Sequence, residues 1–151
     1  MKENQAIPQF GNIEDGVEYQ LRAGGYLVVN NDQGHIAVVR SKNGYFLPGG
    51  GLEDTENPEE AAIREAYEEG RLRVKVTGEL GIADDFIYVE KKDRHLQKRG
   101  HFFEAEVIEC DGVGDHELVW LTPEDGIAKL KHGSQKWAVG EWKMKNQNAR
   151  Q

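Results

Sequence analysis

Short apolar runs alternate with polar turns along most of the chain, and once the pattern switches to a helical period. Tyr26-Leu27-Val28-Val29 and His35-Ile36-Ala37-Val38-Val39 are rich in β-branched residues and are separated by Asn30-Asn31-Asp32-Gln33-Gly34, which predicts a hairpin. Asn43-Gly44 marks another turn, and Tyr45-Phe46-Leu47 reads as a short strand entering a glycine loop. Alternation then predicts strands at Leu72, Val74 and Val76, at Phe86 to Val89, and at Phe103, Ala105 and Val107, with Glu104 and Glu106 facing the other way. Leu118-Val119-Trp120-Leu121 is the last strand. Residues 58–69 carry helix signals instead: Asn57 as N-cap, Pro58 at the first position, Glu59 and Glu60 where the dipole favours acids, and Gly70 as the stop. Thr122-Pro123 opens a short helix through Leu130, and Ser134 caps a final helix carrying Trp137 and Trp142. Six or seven strands with helices interposed and appended predict an α/β fold, a mixed sheet packed between helices.

Composition narrows what such a fold can do. A chain of 151 residues without repeats or a Pro/Ser-rich linker suits one domain. Residues 17–151 are assigned to it, and the polar residues 1–16 to a loosely ordered lead-in. Cys110 is the single cysteine, which excludes an internal disulfide framework and a cysteine-cluster metal site; at the end of a strand it reads as a small buried apolar residue rather than a nucleophile. No apolar run approaches the ~18 residues of a membrane span, and no charged-then-apolar leader precedes the first strand, so a cytoplasmic protein is expected. Nineteen Lys and Arg against 27 Asp and Glu give a net charge of -8, a field that repels a nucleic-acid polymer. Surplus carboxylates scattered over a surface mean nothing, but convergent ones are chemistry.

They converge in one segment. Leu47-Pro48-Gly49-Gly50-Gly51-Leu52-Glu53 is followed by Glu56 and then Arg64-Glu65-Ala66-Tyr67-Glu68-Glu69-Gly70. At 100° per residue Glu65, Glu68 and Glu69 share one arc of about 100°, while Ile63, Ala66 and Tyr67 point away and can pack on the sheet. Stacked like charges repel, so a cation belongs between them; hard divalent ions such as Mg²⁺ take oxygen ligands of this kind and complete their shell with water and substrate phosphates. Three consecutive glycines let the backbone approach an ion or phosphate closely. Arg64 either pairs with a neighbouring carboxylate or contacts a phosphate directly. A Glu-rich helix alone, or a glycine turn alone, is ordinarily a solvated surface feature; it is their joint occurrence in this order that points to a site.

Gly50, then Glu56, then Arg64-Glu65-Ala66-Tyr67-Glu68-Glu69 at these spacings resembles the Nudix box, the hallmark of hydrolases acting on nucleoside diphosphates linked to another moiety. The likeness covers residues 50–72 closely. It extends more loosely to the opening hairpin at residues 23–40 and to Trp120-Leu121-Thr122-Pro123-Glu124. The resemblance implies an α/β/α sandwich and a pyrophosphohydrolase using Mg²⁺, with Mn²⁺ as a substitute. It implies metal ligation by Glu68, Glu69 and the Gly49 carbonyl, with Glu65 a third ligand or the base that orients water. Arg64 would position Glu65, and Glu56 would brace the loop or reach the metal through water. Attack of water on a phosphorus of a diphosphate bridge is the implied chemistry, and family members commonly form homodimers. Where the family carries glycine this chain has Arg71, the glycine standing one residue earlier at Gly70; Arg71 disfavours a left-handed conformation, so the helix is expected to end a residue sooner.

Other residues are expected around this centre. Gly50 and Gly51 are candidates for substrate contact, and Arg40, at the end of a strand entering the site, for a phosphate. Tyr88 lies where dinucleoside-polyphosphate hydrolases of the family carry a tyrosine. Candidates for a late acidic ligand or base are Glu104, Glu106, Asp115 and Glu117, the last two flanking a loop before Trp120. Lys91-Lys92-Asp93-Arg94-His95-Leu96-Gln97-Lys98-Arg99 is the basic cluster of the chain, read as a hairpin connection or a phosphate grip. His132 is expected to dock the last helix. The substrate expected first is a small-molecule nucleotide, a nucleoside triphosphate or an oxidised one such as 8-oxo-dGTP. A dinucleoside polyphosphate is the alternative within the same chemistry, and a non-catalytic nucleotide-binding module the alternative outside it. The isoprenoid-diphosphate isomerase branch would need a cysteine near the glycine loop, and Cys110 is too distant.

Overall fold

A computed structural model describes residues 6–149. In chain order the elements are β1 (Gln9–Gly11), β2 (Gln20–Asn30), β3 (Ile36–Ser41), β4 (Gly44–Phe46), β5 (Gly49–Gly51), α1 (Pro58–Gly70), β6 (Leu72–Val89), β7 (Arg94–Cys110), β8 (Glu117–Leu121), α2 (Pro123–Lys129) and α3 (Gly133–Ala149). The sheet runs β1-β6-β7-β2-β3-β4, with β5 paired to β2 and β8 to β3. β1 is parallel to β6 and β2 to β7, and the other pairs are antiparallel, so the sheet is mixed as expected.

Alternation on β2 decides the layers. Leu27 and Val29 face one side and pack with Ala62 and Ala66 of α1, while Val28 faces the other and joins Phe102, Val139 and Trp142 on the side of α3. These strand residues are fully buried, which makes β2 a central strand with a helix layer on each side. The Trp137 ring meets Phe102 edge-on at 6.0 Å and secures α3.

Two expected strands, one at 72–76 and one at 86–89, are one 18-residue strand. Register shifts at Arg73/Val74, Val76/Gly78 and Glu79/Gly81 break its alternation, which is why the middle of β6 carried no strand pattern. The basic cluster is likewise only partly a connection. The turn is a single 3₁₀ segment, Glu90–Lys92, and from Arg94 onward the cluster is strand β7, whose last residue, Cys110, is exposed rather than buried as expected. Within the stretch expected as a lead-in, residues 9–11 form β1, and Phe10 packs on the α3-side core. Where burial does take in acids, partners are supplied: Asp84 is fully buried, and Arg99 and Gln97 donate hydrogen bonds to it.

The start of α1 follows its sequence signals. The Glu60 amide donates to Asn57 Oδ1 at 2.8 Å, and the Asn57 amide donates to Glu60 Oε1 at 3.0 Å, a full capping box. The buried face is made of Ala61, Ala62, Ala66 and Gly70. Ile63, expected to pack on the sheet, is 39% exposed. Small side chains win the contact because α1 lies almost on the β2 backbone; a Cβ on Gly25 would come within 1.8 Å of the Pro58 carbonyl oxygen.

The helix ends at Gly70, but Arg71 adopts the left-handed conformation it was expected to avoid, with φ 55° and ψ 30°. Its amide donates to the Tyr67 carbonyl at 2.9 Å, and its guanidinium lies 4.8 Å from the Tyr67 ring centroid. A C-cap hydrogen bond and a cation–π contact thus offset a backbone cost of about 1–2 kcal/mol. Arg71→Gly relieves that cost and loses the ring contact, so stability should rise by about 1 kcal/mol or stay level in urea melts. A clear fall would show that the arginine side chain, not the cap, holds this corner.

Candidate active site

The capping box aims α1 so that its polar face meets the glycine loop. Arg64 is the centre of the contact. Its Nε donates to Glu56 Oε2 at 2.7 Å and its second terminal nitrogen to Glu56 Oε1 at 3.0 Å, a bidentate pair. Its first terminal nitrogen reaches Glu65 at 2.8 Å and Glu68 at 3.2 Å, and Glu53 lies 3.4 Å away. The Gly51 carbonyl accepts a further bond at 3.2 Å. The Glu53 amide donates to Glu56, closing the loop on itself. Hydrogen bonds from Arg64, and then from the Glu53 amide, hold the Glu56 carboxyl below its ordinary range. Glu56 therefore braces the loop, one of its two expected roles.

The glycines make room for the carboxylates. A Cβ on Gly50 would fall 2.3 Å from Glu65 Oε2, so only glycine lets that carboxylate lie against the loop. The Gly49 amide donates to Glu69 Oε1 at 3.0 Å. Glu69 is the deepest of the three acids. Burial pushes its carboxyl up to about 8, with Glu65, Glu68 and Asp115 adding repulsion against the pull of the Gly49 amide. Burial and Glu68 likewise raise Glu65.

A cleft of about 650 Å³ opens beside this face. Gly49, Gly50, Gly51 and Glu69 line it, with Arg40 and Glu117 opposite, paired to each other at 3.5 Å. Asp115 also lines it, and its amide donates to the Glu68 carbonyl at 3.0 Å. Of the four late acids, then, Asp115 and Glu117 reach the cleft. Glu104 sits on the α3 side of β7 and pairs with Lys145 at 2.8 Å, and Glu106 is exposed on β7. Tyr88 does not line the cleft. Its hydroxyl bonds to Asp93 at 2.7 Å and its ring lies against His95, near the tip of the β6–β7 hairpin, because one long strand carries it past the site.

Tyr26, His132 and Gln135 also line the cleft without having been singled out as site residues, and so does Lys98, of the basic cluster offered as a phosphate grip. For Lys98 a signal existed. It shares the strand phase of Gly100 and Phe102, so a β7 extended back to Arg94 would have turned it inward.

Whether a divalent ion fits can be tested on the donors. Among the described residues no three acidic, His or Cys side chains stand in a ready-made cage, since Arg64 holds Glu65 and Glu68 while Gly49 holds Glu69. The donors themselves are oxygens, the Gly49 carbonyl and carboxylates of which Glu65 and Glu69 are raised by burial and by neighbouring acids, the set a hard cation neutralises.

A family model, the NUDIX domain, matches residues 19–142. This chain belongs to the NUDIX family. A Mus musculus protein named diphosphoinositol polyphosphate phosphohydrolase 3-alpha is 32% identical over 102 residues, 64% of this NUDIX chain and 58% of that protein. A Bacillus subtilis (strain 168) protein named putative 8-oxo-dGTP diphosphatase is 28% identical over 106 residues, 66% of each. This chain thus spans less than two thirds of the mouse relative's length. Among solved structures, a MutT protein from Methanosarcina mazei Go1 superposes with TM-score 0.68 at 17% identity, covering 87% of this chain and 99% of that one. A C. elegans Ap4A hydrolase complex gives 0.68 at 15%, covering 84% and 98%. These two likenesses show the NUDIX fold. Among the described residues no helix is long and apolar enough to cross a membrane.

Glu69 makes a measurable demand on this NUDIX chain. Its folded carboxyl titrates near 8 and its unfolded one near 4.3, so between these values the unfolded chain releases a proton that the folded chain keeps. Stability of the metal-free protein should fall as pH rises from about 5 to 8, and Glu69→Gln should remove that slope. Urea melts in chelator at pH 5 and pH 8 check it; equal slopes would mean Glu69 is ionised throughout.

Proposed function

We propose that this chain is a divalent-metal-dependent pyrophosphohydrolase that converts a nucleoside triphosphate, ordinary or oxidised as in 8-oxo-dGTP, to the monophosphate and pyrophosphate. The observation that carries the reading is the carboxylate face of α1 set against the glycine loop by Arg64. Glu68 and Glu69 would hold Mg²⁺, or Mn²⁺ in its place, with the Gly49 carbonyl alongside. Such an ion lowers the pKa of water and neutralises charge on phosphoryl oxygens.

The remaining roles belong to the chain. Glu65 accepts the proton of the attacking water, a task suited to a carboxyl raised by burial and by Glu68. Arg64 fixes the orientation of Glu65 and, through Glu56, of the loop. Gly49 fixes Glu69 through its amide. As the water oxygen bonds to phosphorus, the bridging P–O bond breaks and the pyrophosphate leaves. Arg40 at the cleft mouth meets the departing phosphates, exchanging Glu117 for them.

The lining also weighs between substrate classes. Tyr26, Phe46 and His132 give the cleft flat walls suited to a base. Arg40 is paired with Glu117, and Glu69 and Asp115 add negative charge to the same cleft, a poor match for a highly phosphorylated inositol such as the mouse relative's name specifies. A dinucleoside polyphosphate loses its particular support with Tyr88 outside the cleft. A non-catalytic binding module would have no use for three mutually repelling acids.

Pyrophosphate and phosphate release across nucleoside triphosphates, 8-oxo-dGTP, dinucleoside polyphosphates and a diphosphoinositol phosphate, with Mg²⁺, Mn²⁺ or chelator, tests the reading. Metal-dependent pyrophosphate release from a triphosphate is the expected result. Glu68→Gln should lower kcat by about 100-fold while changing stability by less than about 0.5 kcal/mol, since its side chain is 46% exposed. A Glu68→Gln protein with wild-type kcat would overturn the assignment of the face.

A further inference from the structure

The cleft has a second polar centre on its floor, carried by β6, β7 and α3 rather than by α1. Lys98 stands opposite Asp85 in the β6–β7 register. Asp85 is buried, and its carboxylate accepts hydrogen bonds from the Ser134 amide at 3.1 Å and from the Ser134 hydroxyl. Ser134, expected as a helix cap, thus spends its hydroxyl on pinning the start of α3 to β6. Gln135 does the same toward the glycine loop, its Oε1 accepting from the Leu47 amide at 2.8 Å. The floor is therefore built before any ligand arrives.

Lys98 is the cation of that floor, and its ammonium is uncommitted. It forms no ion pair among the described residues. Burial lowers its ammonium pKa, and the charge of Asp85 raises it. With Asp85 behind it the floor is close to neutral, so it offers little to a phosphate carrying two or more charges. A neutral acceptor oxygen is the better match. Beside it the Phe46 and His132 rings, 5.4 Å apart, form a wall.

We infer that Lys98 determines base specificity in this cleft, donating a hydrogen bond to a ring carbonyl oxygen of a nucleobase that lies against Phe46 and His132. The inference takes its ligand class from the nucleotide reading above. Guanine carries the required oxygen, whereas the exocyclic amine of adenine would meet the ammonium donor to donor. A site built around a hydrogen bond rejects the analogue that lacks it.

Calorimetric titration of GMP and AMP tests this without turnover. Wild type should bind GMP at least ten-fold more tightly than AMP, the scale of one hydrogen bond to a charged group. In Lys98→Met the ratio should fall to near one, and Lys98→Arg should restore it. Lys42→Met, at the exposed rim of the same cleft, should keep the ratio. Thermal melts confirm that each variant is folded, and Lys98→Arg carries the test if Lys98→Met is not. Absent GMP binding, a wild-type ratio below two, a ratio untouched by Lys98→Met, or equal loss of both nucleotides overturns the inference. A silent hydrolysis panel with the GMP preference intact would sink the proposed reaction and leave this inference standing; active hydrolysis without the preference would do the reverse.

Discussion

One guanidinium holds the site in its shape. Arg64 bonds Glu56, Glu65 and Glu68 and the Gly51 carbonyl, and lies 3.4 Å from Glu53. Without it four carboxylates would crowd one edge of a helix and its preceding loop with nothing between them, and each would bend away from the others. Their hydrogen bonds in turn push the Arg64 pKa above its ordinary value, so its charge is constant at any pH the fold survives. The planar fork also explains why arginine and not lysine occupies this position: two bonds go to Glu56 while two edges remain for the helix and the loop.

The fold supplies what this pairing needs. α1 must lie close to β2 for its polar edge to reach the loop at Gly49–Gly51, and the alanine face together with Gly25 permits that approach. β5 extends the same logic, pairing Gly49, Gly50 and Gly51 with Tyr26, Gly25 and Gly24 of β2 and so fixing the loop to the strand beneath the helix. Deep placement then raises Glu69, while Glu68 stays half-exposed at the surface end of the Arg64 pairings. Opposite them, α3 carries the second wall, its start locked to β6 through Asp85 and to the residues before the loop through Gln135.

The NUDIX assignment places the chain in a family, and the geometry adds how the individual side chains are held. The family match locates residues 19–142 within a known architecture. Distances show that Glu56 braces rather than points outward, that Gly50 is a clearance requirement, and that Asp115 stands with the α1 acids while Glu104 faces α3.

Local signals were enough for the helix and its acids. Capping residues act within one turn, and a helical period puts Glu65, Glu68 and Glu69 on one face whatever packs around them. Local pattern did the same for β2 and β3, through β-branched runs on either side of a polar turn. It failed for β6, because bulges reset the phase three times, and for the phase of α1, because the sheet selected Ala62 over Ile63 by clearance rather than by hydrophobicity. Arg71 shows the same limit, a costly backbone conformation made tolerable by a tyrosine one helical turn away. The far side of the cleft was decided by tertiary structure alone. Lys98, Asp115, His132 and Gln135 come from three separate stretches of chain, and only long-range pairing of β6 with β7 and the docking of α3 brings them to Gly49. Hydrogen bonds between neighbours in sequence can be read from sequence; a register set over dozens of residues cannot.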